Sequence, residues 1–209
     1  MLEVLALFAR FKINNEKGTI VAKIAIIYFS KTDVTGQLAR AIAAGAEQQG
    51  IEQQGGFEIL SHRIQGSEII EGRFVPNLMD ELAECDAIIF GSPTYMGSVA
   101  AQFKAFADAS SESWCYQKWA GKIAAGFTSG GAMNGDQSCT LQYLQTLANQ
   151  HGMMWLGLDK ISNSGAILGS KTLIATVCKV ALLLKVVKMV SYLLLISRQP
   201  NILANESQC

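Results

Sequence analysis

The chain has 209 residues, which suits one α/β domain better than two at ~150 residues per domain. Seventeen Lys and Arg balance seventeen Asp and Glu, so the sequence carries no basic footprint for a nucleic-acid backbone. Half of the residues are hydrophobic and only 16% are charged, a composition that opposes disorder and points to buried strands or a membrane contact.

Residues 1–20 lack the pattern of a secretory leader, because Glu3 stands where a positive n-region should be and no A-x-A site follows Phe8 and Ala9. Residues 1–21 read as an N-terminal extension, either a short extra helix or sequence ahead of a start at Val21. From there to residue 160 short aliphatic runs alternate with helical periods, the pattern of βαβ units. Strands are predicted at Lys23–Phe29, Phe57–Leu60, Asp86–Gly91, Lys122–Phe127 and Met154–Leu158. Between them, Leu38, Ala41, Ile42, Gly45 and Ala46 form one helical face, and Val99, Phe103 and Phe106 a second. Leu141, Leu144, Leu147 and Ala148 form a third, with Gly152 as its stop. The expected fold class is α/β, a three-layer sandwich in which a five-stranded parallel sheet carries helices on both faces.

Residues 161–209 form a hydrophobic C-terminal segment of predicted helical character. Leu173–Ile196 is long enough to cross a bilayer, but Lys179, Lys185 and Lys188 interrupt it. On an insertion scale three lysines cost roughly 8–10 kcal/mol against roughly 4–8 kcal/mol returned by the Leu, Ile and Val residues, so spanning is not favoured. At 100° per residue the lysines fall at about 0°, 240° and 180°, which is not one polar stripe either. The five cysteines, Cys85, Cys115, Cys139, Cys178 and Cys209, are odd in number and contain no C-x-x-C pair. That usage fits reduced thiols and a cytoplasmic location.

In a parallel sheet of this kind ligands sit beyond the carboxyl ends of the strands. Three loops there are candidates. The first, Ser30-Lys31-Thr32-Asp33-Val34-Thr35, leaves a strand and opens a helix, so hydroxyls and free amides meet a positive dipole end. It could hold a phosphate, or Thr32 or Asp33 could simply cap the helix. It is neither a nucleotide P-loop nor a dinucleotide G-x-G-x-x-G turn, which leaves a monophosphate as the better fit. The second, Gly91-Ser92-Pro93-Thr94-Tyr95-Met96-Gly97-Ser98, is predicted to be a turn whose rigid amides suit the edge of a polar heterocycle. The third, Phe127-Thr128-Ser129-Gly130-Gly131-Ala132-Met133-Asn134-Gly135-Asp136-Gln137, is glycine-rich and permits close backbone approach, or is turn chemistry alone.

From Ala22 to Leu158 the chain resembles the flavodoxin-like NAD(P)H:quinone oxidoreductases related to the tryptophan-repressor-binding protein. The marks of the resemblance are Ile26-Ile27-Tyr28-Phe29-Ser30, Gly91-Ser92-Pro93-Thr94-Tyr95-Met96-Gly97, Gly121-Lys122, Phe127-Thr128-Ser129 and His151-Gly152-Met153. The resemblance implies a flavodoxin-like FMN-binding domain over residues 22–160. It assigns Ser30, Lys31, Thr32, Asp33, Val34 and Thr35 to the FMN phosphate, and Pro93, Thr94, Tyr95, Met96 and Gly97 to the flavin ring edge. Thr128, Ser129, Gly130, Gly131, Asn134, Gly135 and Asp136 fall to the ribityl and pyrimidine side. Tyr95, Met96 and Trp114 would wall the substrate space, Trp114 often across a subunit boundary.

The resemblance further implies two-electron transfer from NAD(P)H to quinones in a ping-pong cycle, a homo-oligomer of two or four copies, and neither a metal nor a nucleic-acid partner. The flavin would supply the chemistry, so no acid–base dyad is required. Two other readings remain: a flavodoxin-type one-electron carrier, and an FMN-binding scaffold with impaired catalysis. The chain departs from the family pattern where Asp33 replaces a glycine, a change expected to weaken FMN binding. Gln150 replaces the first of two histidines, leaving His151, read here as a cap that compensates the helix dipole. After Leu158 the family's glycine- and proline-bearing segment is missing.

Overall fold

The computed structural model describes residues 21–52, 56–131 and 135–157. Strand β1 (Val21–Phe29) leads through α1 (Val34–Glu52) to β2 (Gly56–Ile64). A 3-10 turn (Gly66–Glu68), a small hairpin of β3 (Ile69–Ile70) and β4 (Arg73–Phe74), and the short α2 (Met79–Ala83) follow. Next come β5 (Ala87–Tyr95), β6 (Ser98–Val99), α3 (Ala101–Ala109) and α4 (Ser111–Cys115). The described chain closes with β7 (Ile123–Ser129), α5 (Gln137–Gln150) and β8 (Met154–Trp155).

The sheet runs β2-β1-β5-β7-β8, with every pair along this path parallel and β6 paired antiparallel to β5. This is the flavodoxin-like order, and it reverses direction between β1 and β5. Central strands must be apolar on both faces. Accordingly Ala22, Ile24, Ile26 and Tyr28 of β1 pack with Leu38, Ala39, Ile42 and Ala46 of α1. Ala25, Ile27 and Phe29 face the opposite core, with Phe103 and Phe106 of α3 and Leu144, Leu147 and Ala148 of α5. Helices therefore cover both faces, as expected.

All five expected strands are present, but their limits differ in ways that matter. Strand β2 continues to Ile64, because Ser61, His62 and Arg63 pair with β1 along its whole edge although they break the apolar run. Strand β5 continues to Tyr95, because β7 runs alongside as far as Ser129 and pairs with Pro93. The predicted turn over Gly91–Ser98 is thus a strand end followed by a tight hairpin at Met96 and Gly97. Both of those residues have positive φ, 48° and 75°, the conformation a two-residue hairpin requires. Strand β8 ends at Trp155, and Leu158 lies outside the described residues.

On α1 the buried stripe includes Ala39, whereas Ala41 is exposed; on α5 Leu141 is a rim residue. The readings of residues 1–20, of Leu173–Ile196 and of Asn134 lie outside the described residues. Among the described residues no helix is long and apolar enough to cross a membrane.

Candidate functional site

The turn after β1 is built by side chains that take over backbone bonding. Ser30, almost fully buried, accepts the Gly36 amide at its Oγ (3.1 Å), and the Asp33 carbonyl accepts the Gln37 amide (2.8 Å). Asp33 is therefore the N-cap residue, at φ 65°, a left-handed conformation that Asp tolerates better than most residues. Of the first amides of α1, that of Gly36 is thus taken by Ser30, while those of Val34 and Thr35 have no acceptor inside the helix and lie at its positive end.

The turn is tied to the third loop by a hydroxyl pair. Thr35 Oγ1 lies 2.7 Å from Ser129 Oγ, and both residues are buried. Two hydroxyls share one such bond and use one proton between them, so one O–H remains to donate elsewhere. A second hydroxyl cluster lies beside it, where Thr94 Oγ1 is 2.8 Å from both Thr128 Oγ1 and Thr140 Oγ1. It joins the ends of β5 and β7 to the first turn of α5. Thr140 escaped the sequence reading. Its only signal is a β-branched polar residue four places past Asp136, in the first turn of the helix.

Ser30, Thr35, Thr94, Thr128 and Ser129 thus come together at the carboxyl ends of β1, β5 and β7, where the strand order reverses. Lys31, Thr32 and Val34 are exposed on the rim of the first loop. Pro93 is buried in β5 and its carbonyl accepts Ser92 Oγ at 2.9 Å. Tyr95 is partly exposed, Met96 fully exposed on the hairpin tip, and Gly97 shares that tip. Gly130, Gly131, Gly135 and Asp136 border the third loop, and Asp136 keeps one buried carboxylate oxygen with no hydrogen-bond partner among the described residues. Trp114 stands half-exposed on α4, its carbonyl bonded to Gln117 Nε2 at 2.8 Å.

Charge is concentrated at Asp33. Arg40 bonds its carboxylate at 2.5 and 3.3 Å, and Arg63 Nη1 lies 3.5 Å away. The Arg40 guanidinium, aided by Arg63, holds the Asp33 carboxyl below the usual carboxylate range. The Asp33 carboxylate is therefore paired with two cations.

His151 reads differently in the structure than as a charged cap. Its backbone closes α5, but its ring is buried and stacked 4.1 Å from Trp119, and burial lowers its pKa to about 4. A neutral ring cannot compensate the dipole as a cation, so that expectation is corrected. Among the described residues no group of three His, Cys, Asp and Glu side chains could hold a metal.

FMN suits this arrangement on observations of the structure itself. Buried hydroxyls and outward amides satisfy a phosphate monoester without a metal. The unpaired Asp136 oxygen offers an acceptor for an N–H or O–H of a ligand.

The model of the NADPH-dependent FMN reductase family matches residues 22–164. Flavodoxin FldP of Pseudomonas aeruginosa is 37% identical over 138 residues, 66% of this chain and 67% of that protein. The quinone-oxidoreductase QR2 of Triphysaria versicolor is 38% identical over 142 residues, 66% of this chain and 69% of that one. Among solved structures, a flavodoxin, WrbA-like protein from Agrobacterium tumefaciens is 34% identical at a TM-score of 0.60, covering 85% of this chain and 98% of its own. The family match spans all three loops, and the chain belongs to the NADPH-dependent FMN reductase family, flavodoxin-like oxidoreductases that use FMN.

Proposed function

We propose that the protein transfers two electrons from NAD(P)H to quinones by way of FMN. The observation that carries this reading is the buried hydroxyl set Ser30, Thr35 and Ser129 at the switch point of the sheet, next to outward helix amides. When bound, FMN supplies the hydride and electron chemistry. Ser30, Lys31, Thr32, Asp33, Val34 and Thr35 form the phosphate turn, in which the Thr35–Ser129 pair directs a hydroxyl proton to the anion. Pro93, Thr94 and the Tyr95–Gly97 hairpin present rigid backbone to the ring edge, and Thr94 is held by Thr128 and Thr140. Gly130, Gly131, Asn134, Gly135 and Asp136 border the ribityl and pyrimidine side. Tyr95, Met96 and Trp114 act as walls that admit nicotinamide and quinone in turn.

The flavin domain spans residues 22–160 and works as a homo-oligomer of two or four copies in the cytoplasm. Exposure of Tyr95, Met96, Trp114 and Tyr116 in the single chain supports that assembly. The likeness to a protein named flavodoxin favours a second reading, a one-electron carrier. Zero net charge supplies none of the acidic steering that such carriers use to meet partners. Stopped-flow mixing of FMN-loaded protein with NADH or NADPH decides between them. Rapid bleaching of the flavin band followed by reoxidation with a quinone supports the reductase, and a flavin that the nucleotides leave oxidised supports the carrier.

A further inference from the structure

Three charged side chains around the first loop form an arrangement that a simple phosphate turn does not need. Asp33 occupies a left-handed position, φ 65°, where a glycine would be free of strain. Its carboxylate is received by Arg40 from the second turn of α1 and by Arg63 from the end of β2. Arg63 also donates from Nη2 to the Ser30 carbonyl at 2.6 Å, so it grips the backbone of the loop itself. Gly36 makes room for this: a Cβ there would sit 2.3 Å from Asp33 Oδ1. Carboxylate, two guanidiniums and a glycine thus form one unit, drawn from two separate stretches of sequence, residues 33–40 and the end of β2.

An ordinary solvent-exposed ion pair is worth little, and Arg40 and Asp33 alone would be no more than that. The Arg63 bond to the loop carbonyl and the fitted glycine set this cluster apart. Its charge sum is two cations against one anion, a surplus of one positive charge beside the loop. Without the arginines, the aspartate would be free to swing over the first turn of α1, where it would compete with any other anion for the same positive end.

We propose that Arg40 and Arg63 are positioning residues that allow an aspartate in the phosphate turn, and that they set the affinity of this chain for the phosphate of FMN. The proposal rests on the FMN reading above. It identifies a clasp that steers the Asp33 carboxylate away and leaves the loop net positive. The clasp acts on the phosphate alone, so its effect is absent for riboflavin, which has the same ring and ribityl chain without the anion.

The test measures dissociation constants for FMN and for riboflavin by flavin fluorescence quenching at low salt, using the full chain and its R40M/R63M, R40K/R63K, D33N and D33N/R40M/R63M variants. One unit charge near a dianion changes affinity by roughly tenfold at low ionic strength and much less in high salt. The expected result is that R40M/R63M weakens FMN by roughly tenfold or more and leaves riboflavin unchanged. In the D33N background the same pair of changes costs distinctly less, because no carboxylate is left to swing. R40K/R63K restores part of the loss. Equal losses for FMN and riboflavin, or identical losses with Asp33 and with Asn at that position, overturn the clasp while FMN binding stands. A parent protein that binds no FMN overturns the functional reading and the clasp with it.

Discussion

His151 makes stability depend on pH in a way that can be worked out from its surroundings. Ser110 gives its hydroxyl proton to the Ala107 carbonyl at 2.7 Å, so the His151 Nε2 at 2.9 Å must be the N–H that donates to Ser110. The other nitrogen, Nδ1, is a buried lone pair without a partner among the described residues. A proton placed there would bring a charge into a pocket floored by Trp119, and burial lowers the pKa from 6.5 to about 4. The unfolded chain takes up this proton as pH falls through 6.5, whereas the folded chain refuses it until about 4. The contribution is therefore complete above pH 6.5, is lost as pH falls toward 4, and stays lost below. At about 1.4 kcal/mol per unit the whole loss is about 3 kcal/mol, of which about 2.5 is gone by pH 4.5. Urea unfolding followed by far-UV circular dichroism at pH 7.5, 6.5, 5.5 and 4.5, on the parent and on H151Q, reads this directly. Carboxylates common to both proteins cancel in the difference. The variant is less stable at pH 7.5, and its deficit shrinks by about 2.5 kcal/mol at pH 4.5. Parallel curves over that range would refute the buried neutral imidazole.

Further consequences follow from packing and bonding. Gly91→Ala drives a Cβ to 2.2 Å from the buried Phe127 ring, so urea unfolding should show a loss of roughly 1–3 kcal/mol. Thr94→Val removes the hydroxyl that Thr128 and Thr140 share. It should cost roughly 1–2 kcal/mol and, with the phosphate in the turn after β1 as proposed, weaken FMN and riboflavin alike; an effect on FMN alone would contradict that placement. Burial raises the Cys85 thiol to about 11, whereas Cys115 and Cys139 are exposed. Peptide mapping after brief alkylation at pH 8 should find label on Cys115 and Cys139 but on Cys85 only after denaturation.

The layered sheet was legible because the central strands are buried on both faces and read as near-continuous aliphatic runs. The edge was less so. Ser61, His62 and Arg63 look like a loop by composition, yet the backbone of β1 pairs with them regardless, and this extension is what carries Arg63 to the Ser30 carbonyl. The extension of β5 through Pro93 was hidden for a similar reason, since proline and glycine suggest a turn unless the neighbouring strand is known to continue. At the site, Ser30 and Thr35 were found from a strand-to-helix hydroxyl cluster. The role of Asp33 was not, because its arginines lie seven and thirty residues away in the chain. Thr140 was missed because a threonine on a helix has no local signature of a shared hydroxyl, and His151 because only the packed structure shows that its ring is buried against Trp119.

The central claim is that the turn after β1 receives the phosphate of FMN. A crystal structure of the protein grown with FMN tests it most directly. The account predicts phosphate density within hydrogen-bonding distance of the Ser30 or Thr35 hydroxyl and the first amides of α1, with the Asp33 carboxylate still turned to Arg40. Flavin density elsewhere, or only solvent beside Thr35 at saturating FMN, would contradict it.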